Sequence, residues 1–276
     1  MTEFLTVEHG TIAYDVTGTG PLVVLAPGMG NTRDAYRFVT PRLVAAGYRV
    51  AVADLRGAGE SSAAWPSYTR TDIAGDLVAL IRHLGGPAVL VGHSISGGAA
   101  TIAAAQAPDL ITGVVELAPF TKTQTFKLGD LGHAGYRKGT IRLAGTMMGR
   151  LSSWTKYLEG AYPGKKPADW TTYLAGVEAD LRRPGRMKAL QGMTKSTPAD
   201  AGAQLGNVRC PVLVVEGSLD PDWADPKAEG EAIVAALPAG LGRLAMIEGA
   251  GHYPHAQYPD EVVALMLSFL QANARA

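Results

Sequence analysis

The stretch Pro87-Ala88-Val89-Leu90-Val91-Gly92-His93-Ser94-Ile95-Ser96-Gly97-Gly98 constrains the fold more than any other part of the chain. Residues 87–91 are a short apolar run of the kind a buried parallel strand needs. From Ala99 the chain becomes Ala-Ala-Thr-Ile-Ala-Ala-Ala-Gln-Ala, a good helix former whose small side chains can lie close to a sheet. Between strand and helix stands Ser94, with small residues, Gly92 and Ser96, two positions to either side. So tight a turn needs strained backbone angles at its centre, and bulky flanking side chains would collide. It lifts the Ser94 hydroxyl clear of the sheet and leaves it at a helix N-terminus, where free N–H groups and the helix dipole favour negative charge.

The rest of the chain repeats this alternation. Residues 4–8 and 11–17 alternate like half-buried strands joined by a hairpin turn at His9-Gly10. Apolar runs at 22–26, 48–54, 111–117 and 242–248, and another starting at Cys210, read as further strands. Helical spacing occupies 32–47 (Tyr36, Val39, Leu43, Ala46), 72–84 and 259–272 (Val262, Leu265, Leu267, Leu270). This order predicts an α/β fold: a mostly parallel central sheet of about eight strands flanked by helices. With 25 Lys plus Arg against 25 Asp plus Glu, no global charge field points to nucleic acid or an anionic membrane. Cys210 is the sole cysteine, so no internal disulfide forms, and its place at the start of an apolar strand predicts a small buried side chain. No apolar run approaches the ~20 residues of a membrane span, and residues 1–20 lack a basic segment followed by an apolar one, so a cytoplasmic protein is expected.

Four loop motifs carry a resemblance. Gly92-His93-Ser94-Ile95-Ser96 resembles the nucleophile elbow of the α/β-hydrolase family, Gly-x-Ser-x-Gly, with Ser96 in place of the second glycine. A rival register, Ser94-Ile95-Ser96-Gly97-Gly98, would make Ser96 the nucleophile; the strand running directly into Gly92 favours Ser94. Pro27-Gly28-Met29-Gly30 stands where the family usually has His-Gly-x-x, and the resemblance implies an oxyanion hole from the backbone N–H groups of Met29 and Ile95. Glu216-Gly217-Ser218-Leu219-Asp220 is similar to the family's acid loop, and Gly249-Ala250-Gly251-His252 to its histidine loop. The implied triad is therefore Ser94, Asp220 and His252, in the chain order that the family's connectivity dictates. Two other acids compete with Asp220. Asp222 is expected to point elsewhere on the turn, and Glu116, which interrupts the apolar run 114–117, is either a second candidate acid or a strand-end polar residue. His255 reads as a surface or helix-start residue, and Asp54 with Arg56 as a loop brace.

From Thr121 the β-branched runs vanish, and helical spacing covers 139–160, 167–182 and 184–194. The family carries an inserted helical cap at this place, which implies a core of residues 1–120 and 199–276 and a cap of 121–198 after the sixth strand. One helical face would hold Met147, Leu151, Trp154 and Leu158; the first three, with Tyr253, are expected to wall a substrate pocket. Residues 121–198 hold 14 Lys plus Arg against 5 Asp plus Glu. That excess implies either attraction between cap and core or steering of a carboxylate or phosphate substrate.

The resemblance implies acyl hydrolysis of a small-molecule substrate with no cofactor and no metal. The expected substrate is a carboxylic ester or lactone, small to medium and apolar. Thioesters, carbon–carbon bonds beside ketones and cofactor-free perhydrolysis use the same triad, and a non-turnover ligand receptor is a different class of reading. Serine at the nucleophile position argues against dehalogenation or epoxide opening.

Overall fold

A computed structural model describes residues 1–123 and 127–274. Its strands are β1 (Glu3–Val7), β2 (Gly10–Thr17), β3 (Leu22–Ala26), β4 (Arg49–Ala53), β5 (Ala88–His93), β6 (Ile111–Leu117), β7 (Val212–Gly217) and β8 (Gly242–Ile247). They form one eight-stranded sheet in the order β1-β2-β4-β3-β5-β6-β7-β8. β1 pairs antiparallel with β2 and β2 with β4; every other pairing is parallel. β3 and β5 are buried along their whole length, so their apolar runs serve both faces. Val24, Leu90, Val114 and Val214 face one core, while Val23, Val89, Val115 and Leu213 face the other. Each such side chain contributes roughly 1.5–3 kcal/mol by leaving water.

The helices are α1 (Thr40–Ala45), α2 (Arg70–His83), α3 (Ile95–Gln106), α4 (Ala134–Met147), α5 (Leu151–Ala161), α6 (Trp170–Arg182), α7 (Arg186–Thr194), α8 (Ala199–Gly202), α9 (Pro226–Ala236), α10 (Pro254–Gln257) and α11 (Pro259–Asn273). α4 to α8 all fall between β6 and β7. At the start of α2, the Thr69 hydroxyl accepts from Asp72 N–H at 3.1 Å and the Asp72 carboxylate accepts from Thr69 N–H at 2.8 Å. This reciprocal cap fixes where the first residue of the helix, Arg70, sits.

Three elements differ from the spacing-based reading. Instead of one helix over 32–47 there is a 3-10 turn at Arg33–Tyr36 and then the short α1, because Pro41 has no N–H and its ring would clash with the carbonyl of Arg37. The span 139–160 is two helices, α4 and α5, hinged at Gly149, whose φ of +81° an ordinary side chain would resist. α9 was not anticipated; it supplies the crossover from β7 to β8. Among the described residues, no helix is long and apolar enough to cross a membrane.

Candidate active site

Ser94 sits at φ +56°, ψ −119°, between the last residue of β5 and the first of α3. Its surroundings explain the local sequence. A side chain at position 92 would meet the Ser96 carbonyl oxygen at 2.1 Å, so the strand can turn into the helix there only through glycine. Ser96 is wholly buried and its hydroxyl donates to the Pro27 carbonyl at 2.6 Å. That bond ties the elbow to the loop after β3 and turns the Ser96 hydroxyl toward the scaffold. A Cβ on Gly28 would lie 2.7 Å from the His93 ring and 3.1 Å from Ser94 Cβ, so this loop packs directly on the elbow.

His252 and Asp220 are carried on the loops that follow β8 and β7. His252 Nδ1 lies 2.8 Å from Asp220 Oδ2, and both side chains are buried. Asp222 also faces the ring, with Oδ2 3.3 Å from Nδ1, which corrects the expectation that it points away. The Asp222 N–H donates to Asp220 Oδ1 at 2.9 Å, closing the turn so that both carboxylates reach one side, and the Tyr157 hydroxyl of α5 donates to Asp222 Oδ2 at 2.6 Å. Burial alone would push the imidazole down, but the charges of Asp220 and Asp222 outweigh it and carry His252 up to about 9. Burial raises Asp222 to about 6 despite the opposing charge of His252.

These three side chains are also the set of metal-ligand types among the described residues whose donor atoms fall within 4.8 Å of one another. An ion at about 2.0–2.2 Å from both Nδ1 and the Asp220 oxygen would hold those atoms roughly 3.3 Å apart. At 2.8 Å they share a hydrogen bond instead.

Elbow and histidine loop are joined directly. His93 Nε2 donates to the His252 carbonyl at 2.8 Å, and the two rings stand 4.9 Å apart. Because that acceptor is a carbonyl, the proton of His93 resides on Nε2, and burial with two neighbouring imidazoles holds the ring neutral, its pKa well below the ordinary histidine range. Phe120 bridges as well: its N–H donates to the Ser94 carbonyl at 3.1 Å and its ring lies 5.9 Å from that of His252.

Ser94, Ile95 and Met29 line one cavity of about 320 Å³, together with Phe120, Leu143 and Met147. Of the four expected pocket residues, Met147 is on its wall. Leu151, Trp154 and Tyr253 are not. The hinge at Gly149 puts Met147 and Trp154 on different helices, and Trp154 and Tyr253 are 1% exposed in a separate apolar cluster. There the Tyr253 ring stacks on Tyr162 at 4.5 Å and backs His93. Glu116 is buried in β6, accepting from the hydroxyls of Thr101 and Thr121. Its hydrogen bonds go to these threonines and none goes to the His252 ring. His255, expected near the surface, is fully buried and stacks on Tyr36 at 5.0 Å.

Two residues were not singled out from sequence. Asn31 donates to the Met29 carbonyl and to the Tyr253 hydroxyl, both at 3.0 Å, and accepts from the Tyr173 hydroxyl of α6 at 2.5 Å. It locks the loop after β3 to the histidine loop and to the helices above. Arg70 is the charged side chain on the cavity wall. The apolar-period reading of α2 starts at Asp72, so it leaves this residue outside the helix.

A model of the alpha/beta hydrolase family matches residues 23–265, which covers every strand from β4 to β8 and all the loops just described. The chain belongs to the alpha/beta hydrolase family. It is similar to the 2-(acetamidomethylene)succinate hydrolase of Mesorhizobium japonicum, 28% identical over 282 residues covering 96% of this chain and 94% of that one. It is also similar to the pimeloyl-[acyl-carrier protein] methyl ester esterase of Neisseria meningitidis serogroup B, 27% identical over 258 residues, 92% and 94% of the two chains. Among solved structures, an esterase from Exiguobacterium antarcticum superposes with a TM-score of 0.82 at 19% identity, over 98% of this chain and all of that one. That last likeness speaks for the family fold.

Proposed function

We propose that the protein is a serine hydrolase that cleaves a carboxylic ester or lactone through an acyl-enzyme on Ser94. The observation that carries this reading is a serine at φ +56° on a strand-to-helix elbow whose His93 is hydrogen-bonded to the backbone of His252, the imidazole Nδ1 of which is bonded to a buried aspartate 2.8 Å away. Asp220 keeps the proton on Nδ1 and leaves Nε2 free to accept another. His252 takes the Ser94 proton as the serine oxygen bonds to the substrate carbonyl carbon. The carbonyl oxygen becomes an oxyanion held by the N–H groups of Met29 and Ile95, and His252 returns the proton to the departing alcohol oxygen. Water then repeats the sequence on the acyl-enzyme and releases the acid. In this reading residues 121–198 form a helical cap above the cavity. One similar protein is a hydrolase and another a methyl ester esterase, which supports hydrolysis in general and, through the second, ester chemistry.

The test is labelling and turnover. A fluorophosphonate should label the protein at Ser94 and fail to label Ser94→Ala. Ser94→Ala and His252→Ala should each lower kcat on a short-chain p-nitrophenyl ester by at least ~10³-fold, and Asp220→Asn by about 10²–10⁴-fold, with unchanged circular dichroism. Full turnover by Ser94→Ala, or its loss in Ser96→Ala with Ser94 still unlabelled, would sink the assignment.

A further inference from the structure

We infer that Arg70 is a specificity residue that binds a carboxylate of the substrate inside the cavity bordered by Ser94. The inference rests on the hydrolase reading above and names the class of ester: a short one bearing a second, ionised carboxyl group.

Arg70 is only 4% exposed, yet it forms no ion pair within 4.0 Å among the described residues. Its Nε donates to the Phe120 carbonyl at 2.9 Å, and Nη1 donates to the Ser196 hydroxyl at 3.1 Å and carbonyl at 3.4 Å. Among the described residues Nη2 donates to none. Phe120 in turn bonds to the Ser94 carbonyl, which places the guanidinium one residue away from the nucleophile's own backbone. Its stem crosses α3 at Gly98, where an added Cβ would stand 2.8 Å from Arg70 Cδ, so the group is held in place.

Among the described residues the charge has no counterion within 4.0 Å. The described cavity wall is otherwise apolar (Met29, Phe120, Leu143, Met193) or hydroxylic, with no acidic side chain among the described residues. The acid that acts on Arg70 from a distance is Asp200, which is spent on the N–H and hydroxyl of Thr71 at 3.2 and 3.1 Å. Arg70 also opens α2, where a helix's free N–H groups disfavour a cation. Burial lowers its pKa to about 10, so it stays cationic at neutral pH. Keeping a desolvated cation beside an apolar cavity is costly for folding alone. A carboxylate in the cavity would accept from Nη2 in a charge-assisted bond and supply the missing charge.

The experiment compares isosteric pairs: ethyl hydrogen succinate against ethyl 4-methylpentanoate, and 3-acetoxypropanoate against isopentyl acetate, so that the carboxylate is offered on either side of the ester. The native protein should prefer at least one carboxylated ester over its uncharged partner by roughly tenfold or more in kcat/KM. Arg70→Met should collapse that ratio by about 10- to 100-fold, through KM, and Arg70→Lys should restore part of it. If Arg70→Met lowers both members of each pair equally, the residue is structural and the proposal falls. It falls too if the native protein cleaves the pairs without discrimination. Titration of Ser94→Ala with succinate, followed by calorimetry, separates this from the hydrolase reading. Binding that disappears in Ser94→Ala/Arg70→Met upholds the carboxylate site even if no ester is turned over, and no binding overturns it.

Discussion

Two carboxylates face one ring nitrogen in this site, and the second has a measurable consequence. Asp220 and Asp222 together hold the imidazole of His252 near 9, so the proposed base is largely protonated at neutral pH in the free enzyme. Because the base must be neutral to accept the serine proton, kcat/KM should climb with pH to about 9. Asp222→Asn removes one of the two charges, the one at 3.3 Å, and leaves the 2.8 Å bond to Asp220. The acid limb of the kcat/KM profile should then move down by roughly one pH unit, raising activity at pH 7. A limb that stays in place or moves up would show that Asp222 does not act on the ring. The place of Asp220 beside the ring was legible in sequence from Gly-x-x-Asp after a buried strand. That of Asp222 was not, because on a turn the direction of a side chain two residues on is set by the turn's own bonds and not by the spacing. Here a backbone bond to the Asp220 carboxylate folds the turn back on itself.

At the scale of elements, a strand that carries an acid into the core makes a statement about stability. Glu116 in β6 is fully buried, and burial raises it to about 7 against the bonds from Thr101 and Thr121, which lower it. Its folded pKa therefore exceeds its unfolded value of about 4.5, so folding favours the protonated form. The group costs nothing below pH 4.5, and its cost grows from there to about pH 7 and then levels off at about 3 kcal/mol. Glu116→Gln keeps the shape and can bond both threonines without ionising. Chemical denaturation should find the variant more stable than the native protein at pH 8 by up to that amount, and equal to it near pH 4.5, with the proposed activity retained. A gap independent of pH would mean that Glu116 does not titrate in this range. Strand register was legible here, since Val114, Val115 and Leu117 declare a buried strand and Glu116 its polar exception. Helix breaks were less so: the apolar period runs on through Gly149, and only the left-handed turn there separates α4 from α5.

Across the whole molecule, the alternation of apolar runs and helical spacing was enough to give an eight-stranded, mostly parallel sheet, because buried strands announce themselves by composition. How the segment between β6 and β7 sits on that sheet was not, because docking depends on particular polar contacts far apart in the chain. The excess of basic residues in 121–198 raised the question of whether they pair with the acidic remainder. Among the described residues, one ion pair within 4.0 Å joins the two parts, and in it the cation is Arg37 of the core and the anion is Asp169 of the insertion. Two of the insertion's arginines bind core carbonyls instead: Arg186 donates to Ser61 O and Gly59 O at 2.8 and 2.7 Å, and Arg183, which also pairs with Asp180 of the insertion at 2.8 Å, to Gly59 O at 2.6 Å. Carbonyl bonds do not cancel charge, so the insertion's excess of 14 Lys plus Arg over 5 Asp plus Glu remains available to act on a charged ligand. Raising NaCl from about 0.02 to 0.5 M shortens the screening length to a few ångströms. Over that range kcat/KM for ethyl hydrogen succinate should fall roughly threefold or more, while that for ethyl 4-methylpentanoate changes little. A preference for the carboxylated ester should persist at the higher salt, since the contact to buried Arg70 is screened far less than the approach. Equal salt dependence of the two esters would show that the field of the insertion plays no part in capture.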